Sequence, residues 1–327
     1  MEKAGTGAGT ILIVSHTNDM HALDVLRRLE QQGADVVLFD TGRLPRETLL
    51  SITHGAAGWG ANARFDGRDF DFSSVRSVWW RRPQPFQLDP SVSNEEDRHF
   101  VHGETHAAVS ALWSLLDAQW VNDPDRDEAA SRKGWQLRLA REAGLRIPET
   151  LLTNNPDAAR AFVAGQGGRP VIYKAFSATE STWRETRVLR PEEAVLLDSV
   201  KLAPVIFQEH VPAIYDVRVT VVGDQVFAAA IHSQQTSYVH DFRIDMDNAR
   251  IEAIEMPAEI VAGLLRLMAR LGLVYGAADF RLTPDGEWVF LEVNPAGQWL
   301  FVEQATHQPI AAALAAKLME LAALAPA

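Results

Sequence analysis

Residues 274–300, VYGAADFRLTPDGEWVFLEVNPAGQWL, constrain this chain more than any other stretch. Two apolar runs, AADFRL and EWVFLEV, flank Pro284-Asp285-Gly286, so the stretch reads as a β-hairpin closed by a turn. Side chains alternate faces along a strand, so Glu292 and Asn294, two apart, point the same way. Asp279 lies near the start of the first strand and can sit opposite them. Three oxygen side chains then converge on one point. Two carboxylates and an amide carbonyl are hard ligands. That set suits Mg²⁺ bridging to a nucleotide phosphate rather than zinc or copper. The plain alternative is a solvated hairpin with ordinary acidic residues. Against it, Glu292 and Asn294 are embedded in an apolar run, where an unpaired carboxylate is costly.

Composition sets the frame. A length of 327 residues leaves room for two or three lobes with cores of their own. An apolar share of 47% with 23% charged residues is that of an ordinary globular protein. The net charge of −12 argues against a general nucleic-acid binder, though a local cationic pocket for phosphate is compatible with it. The chain has no cysteine, which excludes disulfides, thiolate nucleophiles and Cys-based metal sites. The N-terminal run is too short for a signal peptide, and no stretch approaches the length of a membrane span. No membrane partner is expected, and a cytoplasmic location is.

Ile11–Ser15 reads as a buried strand, Asp19–Gln32 as a helix stopped by Gly33, and Val36–Phe39 as a second strand. This β-α-β start invites a dinucleotide site with Asp40 on a ribose. The first turn, Ser15-His16-Thr17-Asn18, lacks the glycines such a site needs, so a structural α/β lobe is expected. Short strands follow over 50–72. Ser77-Val78-Trp79-Trp80 is a strand that delivers Arg81 and Arg82 at its C-terminal end, where ligand sites in α/β sheets lie. One arginine is expected to meet anionic substrate; the alternative is an arginine pair stacked on tryptophan. A long helix is expected over 95–119, with Ala107, Ala108, Ala111, Leu112, Leu115 and Leu116 as its buried face. Trp120-Val121-Asn122-Asp123-Pro124 ends the lobe. One helix is expected over 127–143, carrying Lys133. Pro170–Lys174 is a strand whose lysine follows an apolar run and needs an anion. Val205–Val211 and Asp216–Val222 are strands, Ile260–Leu271 is an amphipathic helix, and 307–324 is the last helix.

D-F-R, a hairpin and L-E-V-N-P resemble the metal-binding end of the ATP-grasp ligases. N-P-A-G-Q-W (294–299), W-W-R-R-P (79–83) and S-Q…H-D-F-R (233–243) resemble a narrower branch, the microviridin-type or graspetide peptide ligases. Those enzymes cross-link ribosomal precursor peptides through side-chain esters or amides. The resemblance runs from about Trp79 to Gln298. It implies an α/β (α+β) chain with the ATP-grasp fold. An N-terminal pre-ATP-grasp lobe (1–122) would precede a central lobe (123–204) and a C-terminal lobe bearing the metal site (205–327), the last two clasping ATP.

The resemblance also implies roles. Lys133 and Lys174 would contact nucleotide phosphate. Gln208, Glu209 and Val211 would lie at the adenine hinge, with Asp216 near the sugar or substrate. Ser177-Ala178-Thr179 stands where relatives have a phosphate loop, here without glycine. Thr182–Leu189 would help dock a leader peptide. Arg218 and Arg243 would face the transferred phosphoryl group. Asp279, Glu292 and Asn294 would hold Mg²⁺. Arg81, Arg82, Arg184 and Arg187 are the cationic candidates for an acidic core peptide. A homodimer is expected.

Such chemistry needs no protein nucleophile, only positioning and charge neutralisation. That agrees with the lack of any G-x-S-x-G or cysteine nucleophile motif. His102, His106 and His232 are possible bases among which the sequence does not choose. Two rivals remain: a ligase that adds amino acids to a protein C-terminus or joins small amino acids, and a non-catalytic nucleotide-binding module. The intact set Lys133, Lys174, Asp279, Glu292 and Asn294 speaks against the second.

Overall fold

The structure, a computed structural model, describes residues 9–56, 58–176, 186–235 and 249–324. Ser177, Ala178, Thr179, Arg184, Arg243 and the H-D-F-R stretch lie outside the described residues. The chain divides into two compact units, residues 1–124 with 309–327, and residues 125–308.

The first unit begins β1 (Thr10–Val14), α1 (Met20–Gln31), β2 (Val36–Phe39). It continues through β3 (Leu49–Gly55), β4 (Gly58–Phe65), β5 (Arg68–Asp71), β6 (Val75–Trp80), α2 (Glu95–Leu115) and β7 (Gln119–Val121). Its main sheet has the order β2-β1-β6-β7, all parallel. β1 is buried along its whole length, as a strand covered on both faces must be. β3, β4 and β5 form a separate antiparallel sheet. Phe39 of β2 meets Phe65, Phe72 and Trp113 edge-on, which ties the two sheets to α2. Asp40 accepts a hydrogen bond from Gly42 N at 2.8 Å and caps a short 3₁₀ turn.

Three expectations change here. α2 stops at Leu115, and residues 119–121 form β7 rather than helix. The buried residues of α2 are Thr105, Val109 and Leu112, while Ala107, Ala108 and Ala111 are exposed. Alanine favours helix on either face, but its burial gains little, so the larger Val109 and Leu112 set the orientation. The helix Ile310–Ala322 packs against α1 and β6, so it joins the first unit instead of the C-terminal lobe. Its alanine-rich sequence is apolar nearly all round and carries no address for a partner.

The second unit opens with α3 (Pro124–Ala130) and α4 (Lys133–Glu142). The single helix expected over 127–143 is therefore broken. Ser131 Oγ donates to Asp127 O, and Arg132 takes an extended backbone (φ −76°, ψ 99°), which makes Lys133 the first residue of α4. Next come β8 (Thr150–Thr153), α5 (Pro156–Gly165), β9 (Val171–Lys174), β10 (Arg187–Val188), a 3₁₀ helix over Pro191–Leu202, and β11 (Val205–Glu209). The four strands pair antiparallel in the order β10-β9-β11-β8.

β12 (Tyr215–Val222), β13 (Gln225–Ile231), β14 (Ile251–Ala253), α6 (Ala258–Leu271), β15 (Tyr275–Leu282), β16 (Trp288–Asn294) and α7 (Leu300–Thr306) complete the unit. The strands form an antiparallel sheet in the order β14-β13-β12-β15-β16. Val217, Val219 and Val221 of β12, Ala278 and Phe280 of β15, and Phe290 and Val293 of β16 join one core with Leu264, Leu267 and Met268 of α6. Strand alternation then sends residues 216, 218, 279, 281, 292 and 294 to the opposite face. The turn expected at Pro284-Asp285-Gly286 is present, with Gly286 at φ +82°.

Candidate active site

The face opposite that core carries a row of charge. Arg218 stands across from Asp279, and Asp279 across from Glu292, on three neighbouring strands. Arg218 Nε lies 3.0 Å from Asp279 Oδ1. Lys133 Nζ lies 2.6 Å from Glu292 Oε2, which ties the first turn of α4 to β16. Arg218 is buried and the other three are part-buried, the four side chains lying between 8% and 23% exposed, so the row is shielded yet reachable. Asn294 follows Glu292 on the same face. Its Oδ1 accepts from Ala296 N at 2.9 Å, which fixes the amide's orientation.

The loop after Asn294 is drawn tightly onto the sheet. Tyr275 Oη donates to Gly297 O at 2.8 Å, and Trp299 is fully buried with its ring edge-on to Tyr275. A Cβ on Gly297 would lie 2.3 Å from Ala277 Cβ, so the P-A-G-Q-W loop needs glycine there.

The donor set fits a hard divalent cation: two facing carboxylates and an oriented amide oxygen. Among the described residues no group of three His, Cys, Asp or Glu is gathered for a metal, as expected for two acids and one amide. Lys133 and Arg218 already balance the two carboxylates.

Other expected residues fall elsewhere. Asp216 is buried, accepting from Arg281 Nε at 2.8 Å and from Ser233 Oγ. It holds the sheet together; its oxygens are turned to these partners. Arg281, quoted in the D-F-R motif without a role, also donates to Val211 O at 2.8 Å, pinning the hinge to β15. Gln208 is buried and donates to Thr150 Oγ1 at 2.9 Å. The Glu209 carboxylate lies 3.7 Å from Arg146 and 3.8 Å from Arg169, and its N–H donates to Glu149 O. Lys174 ends β9 half-buried, and Arg187 pairs with Glu193 at 3.4 Å.

In the first unit Arg81 and Arg82 both donate their backbone N–H to Val14 O, at the C-terminal end of β1. The Arg81 side chain is sealed: Nε donates to Asp19 Oδ2 at 3.0 Å, and the guanidinium lies 5.9 Å from the Trp79 ring centroid. Arg82 keeps an accessible surface. Burial raises the Asp19 carboxyl's pKa, but Arg81, the Ser15 hydroxyl and their neighbours outweigh it and hold it below the usual range. Burial, then the positive field of Arg81, pushes His21 down to about 3.

Of the three candidate bases, His232 is held by a carboxylate, its Nε2 2.8 Å from Glu252 Oε1. His232, then Arg250, holds the Glu252 carboxyl below its ordinary range. Sequence reasoning missed Gln136, one turn on from Lys133. The available signal was a polar side chain between the apolar residues of an amphipathic helix.

Two family models match the chain. Residues 10–128 match the MvdD pre-ATP grasp domain, and residues 130–318 match the RimK-like ATP-grasp domain. Among solved structures, the macrocyclase MdnC of Microcystis aeruginosa, bound with precursor peptide MdnA, superposes with a TM-score of 0.85 at 28% identity. That match covers 95% of this chain and 99% of that one. The macrocyclase MdnB of the same organism gives 0.79 at 30% identity, over 95% and 99%. A Chryseobacterium gregarium RiPP-associated ATP-grasp ligase, in complex with ADP and a leader and core peptide, gives 0.87 at 26%, over 95% and 97%. Among curated proteins, a probable alpha-L-glutamate ligase of Shewanella loihica is 24% identical over 211 residues, 62% of this chain and 68% of that one. The charged row on β12, β15 and β16 thus sits in a chain that belongs to the RimK-like ATP-grasp family and carries an MvdD-type pre-ATP-grasp domain before it.

Proposed function

We propose that this chain is an ADP-forming ligase that makes side-chain ester or amide cross-links in a ribosomal precursor peptide. The observation that carries the reading is the charged row, Lys133–Glu292 beside Arg218–Asp279, within a chain that is alike over nearly its whole length to ligases bound to precursor peptides. The glutamate ligases match only about three-fifths of it, which makes addition of amino acids to a protein C-terminus, or the joining of small amino acids, the second reading.

ATP is the co-substrate, and Asp279, Glu292 and Asn294 would hold Mg²⁺. Bound there, the cation would neutralise phosphate oxygens. A substrate carboxylate oxygen attacks the γ-phosphorus, the bond to the β-bridging oxygen breaks, and ADP leaves. A hydroxyl or amine of the same peptide then attacks the acyl carbon, loses its proton and expels phosphate. Arg218 faces the phosphoryl group, whose charge spreads as it transfers; Arg243 would join it. Lys133 and Lys174 bind the nucleotide phosphates, with the backbone near Glu209 and Val211 at the adenine. Gln208 and Asp216 support that hinge from beneath.

The peptide would have an acidic core and a leader bound away from the chemistry, since remote binding energy can hold a flexible core in place. A net charge of −12 opposes such a partner at long range, so attraction must be local. Arg82, Arg187 and Arg184 are the groups for it; Arg81 is taken by Asp19. The test is mass spectrometry of a precursor peptide encoded beside this gene, incubated with chain, ATP and Mg²⁺. Loss of one water per bond, with ADP formed in step, supports the reading. Glutamate added to a protein terminus, with no change in the peptide, replaces it by the second.

A further inference from the structure

β16 is an edge strand, and edge strands leave a row of N–H and C=O groups without a ladder partner. At Val293, which is 1% exposed, no water is available to replace that partner. The position matters because Val293 lies between Glu292 and Asn294. It also lies just past an irregularity in the ladder: Asp279 pairs with Glu292, but Phe280 pairs with Phe290, so Leu291 is an extra residue in β16. A bulge loosens and re-aims the strand that carries it. Something must fix the backbone beyond it if the two side chains are to keep one geometry.

Gln136 does this. Gln136 is 1% exposed. Nε2 donates to Val293 O at 2.7 Å, and Oε1 accepts from Val293 N at 2.8 Å. The amide thereby pairs with Val293 as a peptide group of a further strand would. The second proton of Nε2 goes to Ala130 O at 2.6 Å, the last residue of α3, across the break that makes Lys133 the start of α4. One side chain thus closes three bonds, joining the helix break, the helix that carries Lys133 and the strand that carries Glu292 and Asn294. Only glutamine supplies an acceptor and two donors at this reach. Glutamate would set a carboxylate against two carbonyl oxygens, and asparagine is one methylene short.

We propose that Gln136 is a positioning residue of the metal and phosphate site, setting Glu292 and Asn294 relative to Lys133 through the backbone of Val293. The inference rests on Glu292 and Asn294 being the metal-holding pair. Groups that orient metal ligands change metal affinity by about 10- to 100-fold when lost. A residue that mattered for packing alone would lower thermal stability and leave affinity as it was.

The experiment measures Mn²⁺ binding by electron paramagnetic resonance in the presence of ADP, beside thermal melting, on the full chain. Gln136→Met removes all three bonds at similar volume, and Gln136→Asn is the second variant should the first not fold. Leu267→Ala, a core substitution in α6 away from the charged row, is the control for lost stability. Glu292→Gln reports on the site itself. The expected result is weaker Mn²⁺ binding in the Gln136 variants by about tenfold or more, none in Leu267→Ala at comparable loss of stability, and faster hydrogen exchange at the Val293 amide. Mn²⁺ binding weakened in Glu292→Gln but unchanged in the Gln136 variants overturns the positioning role alone. Binding unchanged in Glu292→Gln as well overturns the metal assignment and the inference with it.

Discussion

Arg81–Asp19 and Arg218–Asp279 are the same chemical pair at the same 3.0 Å separation, and they differ in access. The first is sealed, with side chains 0% and 2% exposed. The second is 8% and 16% exposed and stands in line with Glu292 and Lys133. A sealed pair has no route by which a substrate could take either partner, so its energy is committed to the fold. A part-open pair can be redistributed: each carboxylate can turn to a cation and each cation to a phosphate. Distance does not separate the two pairs; access does.

The largest effects should fall on opposite sides of that comparison. Glu292→Gln keeps size and hydrogen bonding but removes the charge. Turnover should drop by about a hundred- to a thousandfold, the loss typical of one element of an electrostatic site, because the variant would hold the charge-neutralising cation less well, with little change in melting temperature. Full activity would remove Glu292 from the site. Arg81→Ala strands a buried carboxylate and should cost about 3–5 kcal/mol of stability by denaturant unfolding. Arg218→Ala should do the reverse, lowering kcat more than it lowers ATP affinity or stability. If Arg81→Ala instead left the fold intact and weakened peptide binding alone, the sealed pair would be a binding site and the contrast would fail.

Sequence reasoning named the residues of the open pair and left the sealed one undecided, for a physical reason. Glu292 and Asn294 announce themselves because strand alternation and a hairpin turn are local, and Asp279, expected on the facing strand opposite them, pairs with Glu292. The hairpin, the α1 and α6 helices and the strands β1, β2, β6, β9, β11 and β12 are likewise legible from spacing and turn residues. Arg81 and Arg82 are adjacent and chemically identical, so nothing local says which is buried; Asp19, 62 residues away, decides it. The break before Lys133 depends on Ser131, Arg132 and the distant Val293, through Gln136. The exposed alanines of α2 and the placement of Ile310–Ala322 turn on which surfaces meet, and alanine says little about that. By its sequence Asp216, acidic and near the hinge, suits a contact to the sugar or substrate. Its buried bond to Arg281 is a tertiary fact.

A smaller effect sharpens the comparison. In the open row both carboxylates are already paired with side-chain cations, so a metal ion arriving alone must displace Lys133 and Arg218. Nucleotide phosphates give those cations new partners. Metal and nucleotide should therefore bind cooperatively, with a coupling of about 1–3 kcal/mol, and by reciprocity each should raise the affinity of the other equally. Calorimetry of Mg²⁺ with and without ADP measures it. Equal Mg²⁺ affinity in both titrations would mean that the two ion pairs do not hold the carboxylates in solution.

The sealed pair has its own signature, which appears with pH. His21 is buried beside Asp19, Arg81 and Arg82, and its imidazole is pushed down to about 3 by burial and then by Arg81. In the unfolded chain it titrates near its ordinary value of 6.5. Between those values the unfolded state binds a proton that the folded state refuses. The stability tied to neutral His21 is fully present above pH 6.5 and is lost as pH falls toward 3. The slope for one such group reaches at most about 1.4 kcal/mol per pH unit. Asp19, whose folded value is also lowered, adds to the loss only near and below its ordinary value of 3.8, so the interval from pH 6.5 to 5 isolates the histidine. His21→Gln should flatten the melting temperature across that interval relative to the unsubstituted chain, and leave the ion pairs of the open row untouched. An unchanged slope would mean that His21 is charged in the folded state, and that the pocket around Asp19 and Arg81 is open enough to solvate it.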